Sequence, residues 1–409
     1  MRRTGIRAAT AALVAATALA AVLVATNGST ESPHATGSPP GPGRAAGPGG
    51  TRPTTIAPRA STTTASTTST TAVPPDGKRS DERILSKVTT ITGGLTPKSI
   101  VPDGRGRMFA QNMVYSHTVN VYDRDFQRVA RIPDTVDLAS FGHPGAHQGG
   151  PVEAALSADG RHMYVTNYQM YGPGFGHPGN DKCAASTSWD PSYVYRIALD
   201  SLAVDQIIQV GPVPKYIATT PDGRWVLNSN WCGDDLSVID AATGKEVRRV
   251  PLGRYPRGIA VTPDSRTAYV AVMGSSDIAV VDLHDFGVTW IRNVGRGPRH
   301  LVMDATGTFL YATLNAVGQV AKIATATNTV VAKVASPSEP RSMTISPDGT
   351  ALYVVNYASD AISKIRTSDM HQVQRLAVNH HPIGIAYDAG TNRVWVACYS
   401  GSIVVFDDR

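Results

Sequence analysis

Cysteine is scarce: three in 409 residues. That excludes a disulfide-dense scaffold, and no pair has the spacing of zinc-ribbon ligands. Several catalytic signatures are also missing. There is no Cys-x-x-Cys-His for covalent haem, no phosphate-binding P-loop, no Gly-x-Ser-x-Gly nucleophile elbow and no clustered calcium loop. Apolar stripes of period 3.6 are absent as well, which excludes a helical repeat. What the body lacks most tellingly is net charge. The whole chain carries 38 Lys plus Arg against 32 Asp plus Glu, a formal charge of +6. Eight of the basic residues (Arg2, Arg3, Arg7, Arg44, Arg52, Arg59, Lys78, Arg79) and two of the acids (Glu31, Asp76) fall in residues 1–80. The remaining body holds thirty of each sign, so a general nucleic-acid-binding surface is disfavoured.

The first twenty-six residues read as an export segment. Three arginines precede an uncharged Ala/Val/Leu run, Ala8–Thr26, with small-residue cleavage sites such as Ala18-Leu19-Ala20. That run is also long enough to serve as an uncleaved anchor, and both outcomes stay open. Residues 27–80 are rich in Ser, Thr, Pro and Gly with few large apolar side chains, the composition of a disordered linker. The protein is therefore expected outside the cytoplasm or in the cell envelope, touching membrane only through its N-terminal segment. With apolar residues at 42% overall, residues 81–409 are sufficient for a large core.

That body is repetitive. Pro340-Arg341-Ser342-Met343 begins a stretch that matches others beginning at Pro256 and Pro214, and aligned prolines stand at 97, 151, 214, 256, 298, 340 and 382. The last five are 42 residues apart. The first two intervals carry insertions, near 133–150 and 169–191. Each unit reads as four strands, with a Pro-Asp-Gly turn after the first. Seven such units predict an all-β, seven-bladed propeller. The chain ends on a third strand, so Val88–Ile91 is expected to supply the fourth strand of blade seven and close the ring.

Met163-Tyr164-Val165-Thr166-Asn167 contains the Tyr-Val-Thr-Asn signature, and Tyr353-Val354-Val355-Asn356 nearly repeats it. On these residues the body resembles the YVTN family of surface-layer-like propellers. The resemblance implies an exported binding or scaffold protein of the cell envelope. The Arg-over-Lys bias and Ala content suit a high-GC, actinobacterial source.

Both insertions map to one face of the ring, where loops join strands two to three and each blade to the next. Long loops on a rigid scaffold are where binding sites tend to lie. The residue after each aligned proline is Lys98, Val152, Lys215, Arg257, Arg299, Arg341 and Ile383. Five cations are thus expected around the channel mouth, suited to a small anionic ligand or an envelope protein or glycan. Pairing with Asp235, Asp277, Asp360 or Glu153 is the structural alternative. Trp231 and Tyr357 are candidate aromatic walls. His300 and Glu153 are the acid–base candidates for the competing enzyme reading, a lactonase- or lyase-like activity at the mouth.

His143, His147 and His177, with Asp181 nearby, form a candidate transition-metal set in the insertions; no other cofactor is expected. Cys183 and Cys232 occupy equivalent loops of neighbouring blades and are expected to form a disulfide, leaving Cys398 a buried thiol. A monomer is expected.

Overall fold

The computed structural model describes residues 77–184 and 188–409. The export segment and all but the last four linker positions lie outside these residues. The described chain is almost entirely strand, arranged as seven antiparallel sheets. Blades one to six start at Pro97, Thr135, Pro214, Pro256, Pro298 and Pro340. Blade seven combines Pro382–Asp388, Arg393–Cys398 and Ser402–Asp408 with the N-terminal strand Leu85–Ile91. The first strands touch one another in cyclic order, from blade one round to blade seven and back. The architecture is the expected seven-bladed propeller.

Local chemistry explains the repeat. After the first strand of blade three, the Gly223 N–H donates to Thr220 O at 2.9 Å, and Asp222 accepts from Arg224 N at 3.0 Å. Gly223 takes φ +73°, a conformation glycine adopts without strain. The second strands are buried along their length, whereas fourth strands such as Lys245–Pro251 are mostly exposed, so each sheet runs from interior to rim. Cores form between neighbouring blades. Trp225, Leu227 and Val238 of blade three, for example, pack with Ile259, Val270 and Val281 of blade four.

The closing strand is fastened twice. Its register runs from Leu85 opposite Asp408 to Ile91 opposite Ile403. Leu85 also exchanges backbone hydrogen bonds with the Gln374 amide of blade six, at 2.9 and 3.0 Å. Ahead of it, a single 3₁₀ turn, Ser80–Glu82, docks on blade six through Ser80 N to Asp348 Oδ2 at 2.7 Å.

The insertion near 133–150 is more ordered than its Gly/Pro content suggests. Thr135–Leu138 pairs with His143–Gln148, so blade two has five strands. The pairing continues into Gln148 opposite Tyr171, which extends the hairpin beyond the other blades. Gly149 makes this possible: a Cβ there would lie 2.4 Å from Asn167 Oδ1 and 2.5 Å from Asp134 Oδ2.

Candidate functional site

In all seven blades the strand register slips directly after the aligned proline. A β-bulge puts an extra residue into one strand and re-aims its side chains. Here it lets the two residues after each proline both reach the channel, at different depths. The first of the two lines a cavity of about 380 Å³ at the loop end, containing Lys98, Lys215, Arg257, Arg299, Arg341 and Ile383. The second lines a separate cavity of about 250 Å³ further along the first strands, with Glu153, Tyr216, His300 and Ser342. The five cations expected at one mouth therefore share one cavity. His300 and Glu153 do not line it; the bulge sets them one level deeper.

The upper cavity is completed by the residue that follows the second strand of most blades: Met113, Trp231, Met273, Asn315, Tyr357 and Tyr399. Only Trp231 and Tyr357 were singled out from sequence. The same periodic position supplies the others, so the repeat contained the signal. Asp181, from the blade-two insertion, also lines the cavity and was not foreseen there as a partner.

The cations are deeply placed: Lys98 is 4% exposed, Lys215 5%, Arg257 5% and Arg299 6%. Burying a charge costs several kcal/mol unless it is paired. Three of the five have carboxylate partners. Lys98 Nζ donates to Glu153 Oε1 at 3.0 Å. Lys215 donates to Asp181 and lies 4.2 Å from the Tyr168 ring centroid. Arg341 donates to Glu339 at 2.9 Å and stacks 3.4 Å from the Tyr357 centroid. Among the described residues Arg257 and Arg299 have no carboxylate partner. Arg257 is 5.8 Å from the Trp231 centroid, and Arg299 makes only a long contact to Met273 Sδ at 4.0 Å. The Asp residues once considered as alternatives are engaged elsewhere: Asp277 with Arg292 at 2.7 Å, Asp360 with His380 at 2.8 Å, and Asp235 with Asn230 at 2.6 Å.

Burial lowers four of these cations. Burial, opposed by Glu153 and reinforced by Arg257 and Arg299, lowers Lys98 to about 8. Burial, opposed by Asp181 and reinforced by Arg257, lowers Lys215 to about 7. Burial lowers Arg257 to about 10 and, together with Arg257 and Arg341, pushes Arg299 well below its ordinary value. A guanidinium does not shed its proton under ordinary conditions, so the shifts of Arg257 and Arg299 express chiefly the cost of holding their charge away from water.

His300 is lowered to about 3 by burial and by Arg257, Arg299 and Lys98. Its Nδ1 accepts a weak hydrogen bond from Met343 N at 3.4 Å, and its ring meets Tyr216 edge-on at 5.1 Å. A base this weak is poorly matched to proton transfer near neutral pH. Its candidate partner, Glu153, is held by Lys98.

The three insertion histidines are not gathered into a ligand set. His143 and His147 have ring centroids 6.0 Å apart, and His143 stacks on Phe175 at 4.5 Å. Both nitrogens of His147 face carbonyl oxygens, Gly145 O at 3.1 Å and Pro173 O at 3.0 Å. His177 meets Asp190 through its backbone: its N–H donates to Asp190 Oδ2 at 2.5 Å. Among the described residues no group of three or more His, Cys, Asp or Glu side chains is placed to hold a metal.

Cys183 and Cys232 form a disulfide across 49 residues. It lies beside the cavity wall: Trp231 Nε1 donates to Asp181 O at 3.0 Å, and the Trp231 ring stacks on Tyr255 at 4.5 Å. The bond thus fixes the insertion where Asp181 reaches Lys215, and it fits an oxidising compartment. Cys398 is a free, buried thiol. Two larger clefts, of about 570 and 610 Å³, lie at blade two and between blades two and three. Arg196, which lines one of them, is paired with Asp205.

No family profile and no curated protein matches the chain in sequence. Among solved structures it is similar to hydrazine synthase from Kuenenia stuttgartiensis, at 17% identity and a TM-score of 0.60, covering 77% of this chain and 96% of that chain. At that identity the likeness concerns the propeller fold alone.

Proposed function

We propose that this protein is an extracytoplasmic binding or scaffold propeller of the cell envelope, akin to the surface-layer-like YVTN proteins. It holds a small anionic ligand in the loop-end cavity. The observation that carries this reading is the pair Arg257 and Arg299, both buried and both without a carboxylate partner among the described residues. A fold retains such uncompensated charge at a cost, and a bound anion offsets it. Lys98, Lys215 and Arg341 surround the pair, and Trp231 and Tyr399 supply aromatic walls, while the Tyr357 ring is stacked between Arg341 and His381. His300 acts from the deeper cavity as a neutral neighbour. The disulfide supports export.

The test is thermal unfolding of the purified chain with sulfate, phosphate, citrate, acetate or chloride at equal ionic strength. A ligand that binds only the folded state raises the melting temperature by mass action. At least one of the larger anions should do so beyond chloride, and the Arg257→Gln/Arg299→Gln variant should lose the effect. If none of these anions outperforms chloride, the reading is wrong.

A further inference from the structure

The upper cavity is lopsided. Its neutralised cations lie on one side, where Lys98 of blade one meets Glu153 of blade two and Lys215 of blade three meets Asp181 of the insertion. The donors without a carboxylate partner, Arg257 of blade four and Arg299 of blade five, lie on the other side, and Arg341 of blade six, paired with Glu339, stands next to them. Two further atoms there are buried without a hydrogen-bond partner: Arg341 Nε and Asn315 Nδ2, the latter also from blade five. Both residues line the cavity. Unsatisfied buried donors on adjacent blades mark a seat for several acceptor oxygens at once.

Charge sets the valence. With both lysines protonated, as they are below about pH 7, five cations meet three carboxylates, Glu153, Asp181 and Glu339, each already bound to one of them. Two positive charges are left over, both guanidinium. A monovalent carboxylate would leave one of them uncompensated. A tetrahedral dianion offers three terminal oxygens to Arg257, Arg299, Arg341 and Asn315. Opposite this seat the walls are flat or apolar: Trp231, Tyr399 and Met113. The cavity, about 380 Å³, falls within the range of small-molecule sites.

Building on the anion-binding reading above, we infer that the ligand is a phosphomonoester: its doubly charged head sits on the donors of blades four to six, and a flat apolar body lies against Trp231 and Tyr399.

Isothermal titration with the full chain at pH 6.5, where Lys215 is still largely protonated, tests this, using phenyl phosphate, inorganic phosphate and benzoate as probes. Phenyl phosphate should bind tightest, at least about tenfold tighter than benzoate, since removing one charge-assisted partner at a buried site costs at least that much. Arg257→Gln and Arg299→Gln should each weaken phenyl phosphate about thirtyfold or more. Both variants remove an uncompensated buried charge, so they are expected to fold, and a melting curve at or above the parent's checks this. Tyr399→Leu should weaken phenyl phosphate while leaving inorganic phosphate within about twofold, a stacking loss. Benzoate binding as well as phenyl phosphate overturns the dianion inference but leaves the anion-binding reading standing. If none of the three probes binds, both are overturned.

Discussion

Lys98 Nζ and Glu153 Oε1 meet at 3.0 Å across the boundary between blades one and two, with side chains only 5% and 11% exposed. The lysine stands one residue past its aligned proline and the glutamate two past its own. The contact therefore joins the two levels of channel-facing residues that the bulges create. Glu153 also acts on Arg257 and Arg299, but at a range longer than an ion pair.

Replacing Glu153 with Gln should accordingly destabilise the protein in a pH-dependent way. Below pH 8 Lys98 is charged, and removing its partner leaves an uncompensated buried ammonium, at a cost of about 3–5 kcal/mol. Above pH 8 Lys98 is largely neutral in the parent, so the cost should shrink. Urea unfolding at pH 6.5 and 9.5 measures the difference; an equal loss at both values would show that the pair contributes shape rather than charge.

The depressed lysines also predict how pH acts on the parent. Their folded values, about 8 for Lys98 and about 7 for Lys215, lie below the roughly 10.4 of an unfolded lysine. Between these limits the unfolded chain binds more protons, so both groups make stability rise with pH from about 7 to about 10. The same deprotonation removes positive charge from the cavity. Affinity for sulfate, whose own charge is constant here, should fall by about tenfold or more between pH 6.5 and 9. Sulfate binding should also take up protons, visible as a buffer-dependent heat. A pH-independent affinity would mean that neither lysine contributes to the site.

Ring closure rests on another buried pair. Lys364 Nζ of blade six donates to Asp408 Oδ1 at 2.6 Å and to Arg83 O at 2.8 Å, and both charged side chains are fully buried. Tyr353 and Tyr387 donate to the other carboxylate oxygen. The cluster joins blade six, the C-terminal strand and the segment entering the closing strand. Lys364→Met should lower the unfolding free energy by about 3–5 kcal/mol. A Lys364→Met/Asp408→Asn double variant should recover part of that loss, because no uncompensated charge then remains. Equal loss in single and double variants would place the effect in packing alone.

The fold was legible because the last five of seven aligned prolines keep one period, the first two intervals exceed it only by insertions, and each turn repeats Pro-Asp-Gly or a close variant. Even the closing strand followed from Val88–Ile91 matching the offset of other fourth strands. The cation ring was legible for the same reason. What the period does not encode is the bulge: one slipped residue separates His300 and Glu153 from the mouth. Nor does it encode contacts made by the insertions. Asp181 stands near His177 in the chain, yet it binds Lys215, because the disulfide and the Trp231 indole hold that loop against blade three. The hairpin at 135–148 was hidden by its Gly and Pro residues, since its pairing depends on the close approach that Gly149 permits.

That tether gives the last prediction. Closing a 49-residue separation, the Cys183–Cys232 bond removes unfolded-state freedom worth up to about 4 kcal/mol in the chain-entropy account. The Cys183→Ser/Cys232→Ser variant should lose at most that much stability, because the blades themselves stay paired by their backbone ladders. Its larger effect should be on the cavity. Once the insertion is loosened, Asp181 leaves Lys215 more often, and an incoming anion no longer competes with it for that ammonium. Asp181→Asn should reproduce the change with the disulfide intact. Both variants are expected to bind sulfate several-fold more tightly than the parent at pH 5, low enough to keep Lys215 protonated once Asp181, which raises it, has gone. Titration calorimetry decides the matter. Weaker binding in both would make Asp181 a support of the site, holding Lys215 in place for the ligand rather than standing in for it.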